Sequence, residues 1–248
     1  MTRTAILTAE HIHLEFGGVK AANDANLALY QGELAAIIGP NGSGKSTFLN
    51  ICTGYVPAQS GCVSFQGQDI TRLKPRRITR LGIARSFQLP QLFSEQTVVE
   101  NLLVALASRH GFWNLKSLYQ RAWLTEAHEL LDMFGLDRYA QTIISDLPEG
   151  IRKLIDIAAS MALRPSLLLM DEPTSGVSSQ EKFLIMDTLV PVLRQQGITA
   201  LIVEHDMELV EKYMDRVLVW NAGQVAADGT PADILTREDV IKNVVGVM

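Results

Sequence analysis

The stretch Gly39-Pro40-Asn41-Gly42-Ser43-Gly44-Lys45-Ser46-Thr47 constrains this chain more than any other. It fits G-x-x-x-x-G-K-[ST], a loop that needs a buried strand in front of it and a helix behind it. Both are legible. Leu34-Ala35-Ala36-Ile37-Ile38 is an apolar run of strand length, and Thr47-Phe48-Leu49-Asn50-Ile51 opens a helical pattern. The glycines let successive N–H groups curl around an anion without Cβ clashes. The helix adds its unpaired N–H groups and positive dipole end. In such a loop Lys45 reaches the β- and γ-phosphates and the Ser46 hydroxyl binds Mg²⁺. Residues Gly39 to Thr47 are therefore expected to bind a nucleoside triphosphate.

The 248 residues allow one large domain or two small ones, with a substantial core. With 47% apolar and 20% charged residues the chain does not read as disordered. Its net charge of −5 argues against nucleic acid as the main partner. Cys52 and Cys62 suit neither a disulfide framework nor a metal site and read as thiols in a reducing compartment. The first ten residues lack the apolar segment of a secretory signal, and no apolar run reaches the ~20 residues that cross a bilayer. Any service to a membrane is expected from its cytoplasmic side, through a partner.

Residues 11–38 alternate in short pieces broken at Gly17-Gly18 and Gln31-Gly32, which reads as antiparallel strands. Residues 97–134 and 151–163 carry helical periodicity, so a helical block at about 90–163 interrupts the chain as an inserted subdomain. Afterwards come a strand at 166–170, a helix at 180–195, a strand at 197–203, a helix from about Asp206 and a closing hairpin at 216–228. Apolar strands alternating with helices imply an α/β class with a largely parallel sheet covered on both faces.

The downstream strand ends carry the chemistry. Leu167-Leu168-Leu169-Met170 runs into Asp171-Glu172, and a residue at the carboxyl end of such a strand faces the ligand crevice. Asp171 is suited to holding Mg²⁺, and Glu172 to orienting or deprotonating an attacking water. His205 leaves the strand Ala200-Leu201-Ile202-Val203 in the same way and can hold that water or donate to the γ-phosphate. Gln88 follows the short strand around Ala84-Arg85-Ser86, and its amide can reach both metal and nucleophilic water.

In this order and approximate spacing, the Lys45 loop, Gln88, Asp171-Glu172-Pro173 and His205 strongly resemble the ATP-binding cassette ATPases, over essentially the full length. The resemblance implies a RecA-like P-loop core, an antiparallel β subdomain and a helical subdomain within a single domain spanning 1–248. It implies ATP and Mg²⁺ as cofactors, transmembrane permease subunits as partners, and two cassettes closing head to tail on two ATP molecules. Phe16 matches the family's adenine-stacking aromatic and also suits the end of a core strand. Phe16-Gly17-Gly18, Val203-Glu204-His205-Asp206-Met207 and the 107–125 insertion with Gly111-Phe112-Trp113 resemble the branch that serves branched-chain amino acid uptake. Leu89, Leu92, Phe93, Phe112 and Trp113, near Gln88, suit either permease contact or packing inside the subdomain. Lys74, Arg76, Arg77 and Arg80 read as a solvated face or one near lipid headgroups.

The resemblance breaks at the signature loop. Where the family has Leu-Ser-Gly-Gly-Gln, this chain has Leu147-Pro148-Glu149-Gly150-Ile151. In the family that loop binds the γ-phosphate held by the opposite subunit. Pro148 lacks both the hydroxyl and an N–H, and Glu149 brings negative charge towards a triphosphate unless it turns away. Ser178 stands where the family has Asp or Asn. The elements serving this chain's own ATP look complete and those serving its partner's look degraded, which favours a heterodimer over a homodimer. A regulatory or nucleic-acid-linked ATPase remains the second function class and a small-molecule kinase the third, ranked last because Glu172 with His205 suits water as nucleophile.

Overall fold

Leu34–Ile38, Leu167–Asp171 and Thr199–Val203 are buried at every position, which a strand tolerates when both faces of its sheet are covered. In the computed structural model, which describes residues 3–110, 119–237 and 240, those runs lie side by side at the centre. The chain opens with the hairpin β1 (Ala5–Phe16) and β2 (Val19–Tyr30), followed by β3 (Leu34–Ile38) and α1 (Lys45–Cys52). Strands β4 (Ser60–Phe65) and β5 (Gln68–Asp69) return to the hairpin, and α2 (Pro75–Leu81) leads into β6 (Ile83–Ser86). Helices α3 (Val98–His110), α4 (Arg121–Met133) and α5 (Glu149–Met161) come before β7 (Leu167–Asp171). The remainder runs α6 (Ser179–Gln195), β8 (Thr199–Val203), α7 (Met207–Tyr213), β9 (Arg216–Asn221), β10 (Gln224–Gly229) and α8 (Pro231–Leu235).

Two sheets result. One has the order β2-β1-β4-β5 with antiparallel pairing throughout, and the other β10-β9-β3-β8-β7-β6. In the second, β9, β3, β8, β7 and β6 are parallel, and only β10 pairs antiparallel at the edge. Within residues 11–38, expected to be antiparallel, β3 is thus a parallel strand flanked by β8 and β9. A strand buried on both faces has no solvated side, so it belongs inside a doubly covered sheet.

Alternate residues of each central strand feed different cores. Leu34, Ala36 and Ile38 join Leu168, Met170 and the helices α3–α6 on one face, while Ala35 and Ile37 join Leu167, Leu169 and the antiparallel sheet on the other. The helices between β6 and β7 pack through Leu102, Leu106, Trp123, Ala127, Leu131 and Ile155. Residues 111–118, which include Gly111, Phe112 and Trp113, lie outside the described residues. Cys52 is fully buried, which pushes its thiol up to about 12, and Cys62 is half-buried; both are free thiols. Among the described residues no helix is long and apolar enough to cross a membrane.

Candidate active site

Parallel pairing brings the carboxyl ends of β3, β6, β7 and β8 to one edge, so four loops share a crevice. The phosphate loop leaves β3 and is clamped from beneath. A Cβ on Gly39 would lie 2.1 Å from the Trp220 carbonyl oxygen, and one on Gly44, at φ +105°, would lie 2.0 Å from that of Ala21. Backbone cannot yield to either, so both positions demand glycine. The buried Trp220 indole donates to the Ser43 carbonyl at 2.8 Å and its ring packs on Phe48 with centroids 4.7 Å apart. The β9–β10 hairpin thereby fixes the loop's floor.

Lys45 folds back over the loop, its Nζ donating to the carbonyls of Gly39 (2.8 Å) and Pro40 (2.9 Å). Burial lowers its pKa, with Glu172 and Asp171 acting in the opposite direction. The Ser46 hydroxyl donates to Asp171 at 3.0 Å. Phe16, 51% exposed at the end of β1, lines a cleft of about 270 Å³ together with Asn41 to Thr47 and Glu172. It is therefore not a core residue.

Glu172 is where three of these loops meet. Its φ of +51° places a non-glycine residue in the left-handed region, and its N–H donates to the Val203 carbonyl at 3.0 Å. One carboxylate oxygen accepts from the Gln88 amide at 2.9 Å and the other meets His205 Nε2 at 3.0 Å. Three residues predicted from three separate strand ends thus meet at one carboxylate, which lies half-buried. A carboxylate held at both oxygens is oriented for accepting a proton along a fixed direction.

Arg85 completes this centre, and sequence reasoning assigned it no role. Its guanidinium donates to Asp171 at 3.0 Å and also to Asn50, with side chains 6% and 8% exposed for the Arg85–Asp171 pair. Desolvation lowers the Arg85 pKa against the opposing pull of Asp171. A charged residue inside the otherwise buried strand Ile83-Ala84-Arg85-Ser86 was the available signal.

Helix α5 begins at the loop Leu147-Pro148-Glu149-Gly150. Leu147 is buried, Pro148 takes the N-cap position without a side-chain cap, and its carbonyl accepts from the Arg152 N–H at 3.1 Å. Glu149 bonds to the Arg152 guanidinium one turn on. The charge expected to repel a triphosphate is therefore paired within its own helix. Gly150 packs against the start of α6, where Ser178 caps the helix by accepting from Glu181 N–H, in a reciprocal capping box.

The family model described as ABC transporter matches residues 22–175 of this chain. The chain belongs to that family. It is 38% identical over 97% of its length to the "Probable branched-chain amino acid transport ATP-binding protein LivG" of Archaeoglobus fulgidus, covering 95% of that protein. It is 35% identical to the "High-affinity branched-chain amino acid transport ATP-binding protein LivG" of Escherichia coli K12, covering 97% of this chain and 98% of the relative. Among solved structures, the ADP conformation of an ATP-binding cassette of an ABC transporter superposes with a TM-score of 0.86 at 33% identity, over 98% of this chain and 100% of that one. The ABC ATPase is accordingly an ATP hydrolase with a P-loop fold. The Ser46 hydroxyl and the Asp171 carboxylate, in hydrogen-bond contact, are hard oxygen donors of the kind that fits Mg²⁺ carried in with phosphates and water.

Proposed function

We propose that this ABC ATPase energises a membrane importer of amino acids, from the cytoplasmic face and as one nucleotide-binding domain spanning the chain. The observation that carries the reading is Glu172, held from both sides by Gln88 and His205 behind the Lys45 loop. Gly39 to Thr47 bind the phosphates of ATP, with Lys45 exchanging loop carbonyls for phosphate oxygens. Phe16 stacks on the adenine. Glu172 takes the proton of the attacking water as the new bond to the γ-phosphorus forms and the β–γ bridging bond breaks, while His205 and Gln88 fix its direction. Ser46, Asp171 and Gln88 would hold Mg²⁺, which would supply charge neutralisation at the phosphates. Truncating Phe16 to Ala is expected to weaken ATP binding roughly three- to tenfold, in line with a lost stacking contact of about 0.5–1.5 kcal/mol. Equilibrium binding of ATP to both proteins checks this.

The permease is proposed to dock beside the Gln88 loop. Leu89 and Phe93 are 73% and 57% exposed, and Phe93 joins Gln96, Glu100, Leu103, Val104 and Tyr119 around a groove of about 380 Å³. Leu92, by contrast, packs against the core. The relatives' branched-chain names favour amino acids as cargo. In cells dependent on the transporter, Lys45→Ala is expected to abolish labelled leucine uptake with the complex still assembled. Uptake unchanged by Lys45→Ala contradicts the reading.

The partner ATPase is proposed to be a different chain, because the Pro148-Glu149 cap offers no hydroxyl to a neighbour's γ-phosphate. A homodimer is the second reading, favoured by the Glu149–Arg152 pair, which removes the repulsion and leaves the first-turn N–H groups of α5 as donors.

A further inference from the structure

One face of α5 carries a polar stripe, Lys153, Asp156 and Ser160, in a helix whose other inward positions are apolar. The stripe runs along β6 and the Gln88 loop. Ser160 donates to the Arg85 carbonyl at 3.1 Å, and Asp156 accepts from the Ser86 hydroxyl at 2.7 Å and the Gln91 N–H at 2.9 Å. Lys153 ends the stripe nearest the signature and reaches two loops at once. Its Nζ donates to the Gln88 carbonyl at 3.1 Å and to the Ser175 hydroxyl at 3.2 Å.

An ammonium that is 4% exposed is costly to maintain, and among the described residues its hydrogen-bond partners are a carbonyl and a hydroxyl rather than carboxylates. Glu149, Asp156, Glu172 and Glu204 hold the charge at longer range against the desolvation that lowers its pKa. Ser175 belongs to the loop after Glu172, and its neighbour Thr174 donates to buried Glu204, the residue before His205, at 2.9 Å. Lys153 therefore closes a ring in which the loops carrying Gln88, Glu172 and His205 are tied to a single helix.

We propose that Lys153 is a positioning residue that couples the α5 N-terminus, which faces the partner's nucleotide, to the Gln88 and Ser175 loops around this chain's own ATP. The proposal rests on the dimeric reading above. Any shift of the α5 N-terminus on meeting a partner's triphosphate moves Lys153, one turn away, and with it the backbone that aims Gln88 at Glu172. A residue that only filled space here could be apolar.

The test uses the transporter complex purified through a tag on this chain, with ATP as the probe. Lys153→Met, which keeps length and apolar stem but loses the donors, is expected to leave nucleotide affinity within about twofold and to lower kcat about ten- to hundredfold, the effect of losing charge-assisted hydrogen bonds. Cooperativity in ATP is expected to fall towards a Hill coefficient of about 1. Lys153→Arg, which retains donors, is expected to recover most of the loss. Ser175→Ala is expected to cost little on top of Lys153→Met, since the two share one link. Unchanged kcat and cooperativity in Lys153→Met, or fully additive losses with Ser175→Ala, would overturn the proposal while leaving the dimeric reading intact. Wild-type turnover that is non-cooperative and independent of any partner would overturn the dimeric reading and this proposal together.

Discussion

Glu172→Gln is expected to lower ATP turnover by about 10²–10⁴-fold while the chain continues to bind ATP, the range for removing a positioned general base. The amide keeps the shape of the side chain and can still occupy the space between Gln88 and His205. It cannot take up the proton of the attacking water. The backbone at φ +51° is set by the Glu172 N–H bond to the Val203 carbonyl and survives the exchange. ATP should therefore accumulate uncleaved on the protein, seen as retained nucleotide that is released as ATP rather than ADP. Turnover within a few-fold of wild type would show that another group handles the proton.

Arg85→Met is expected to destabilise the fold by about 3–5 kcal/mol, the cost of stripping one member from a buried ion pair. Its guanidinium serves Asp171 and Asn50 together and lies over the Phe87 ring at 4.8 Å. Without it the Asp171 carboxylate, 8% exposed, loses its compensating charge. Urea unfolding of the single variant and of Arg85→Met with Asp171→Asn separates the contributions. The account expects the double variant to cost less than the sum, because removing the orphaned charge relieves part of the penalty. Strict additivity would mean that the two side chains are energetically independent.

The sequence announced the parts of this site whose chemistry is local. The phosphate loop depends on consecutive residues, and Glu172 and His205 each follow an apolar run that reads as a strand. The partnerships were not legible, because they join residues far apart in the chain. Arg85 meets Asp171, and Trp220 supports Ser43, through strand neighbours that are distant in sequence. The parallel setting of β3 also escaped the reading of 11–38, since strand direction is decided by crossover connections rather than alternation. Glu149 shows the converse limit. Its charge was visible, but its pairing with Arg152 depends on α5 beginning at that residue.

The proposed asymmetry between the two halves of the site is tested most directly by ATP hydrolysis of the purified chain, before and after introducing the family's signature pattern with Pro148→Ser, Glu149→Gly and Ile151→Gln. The account predicts little turnover in the unmodified chain and a gain of more than about tenfold on repair, as expected when missing γ-phosphate donors are returned. Robust turnover by the unmodified chain, without a partner and without gain on repair, would contradict it.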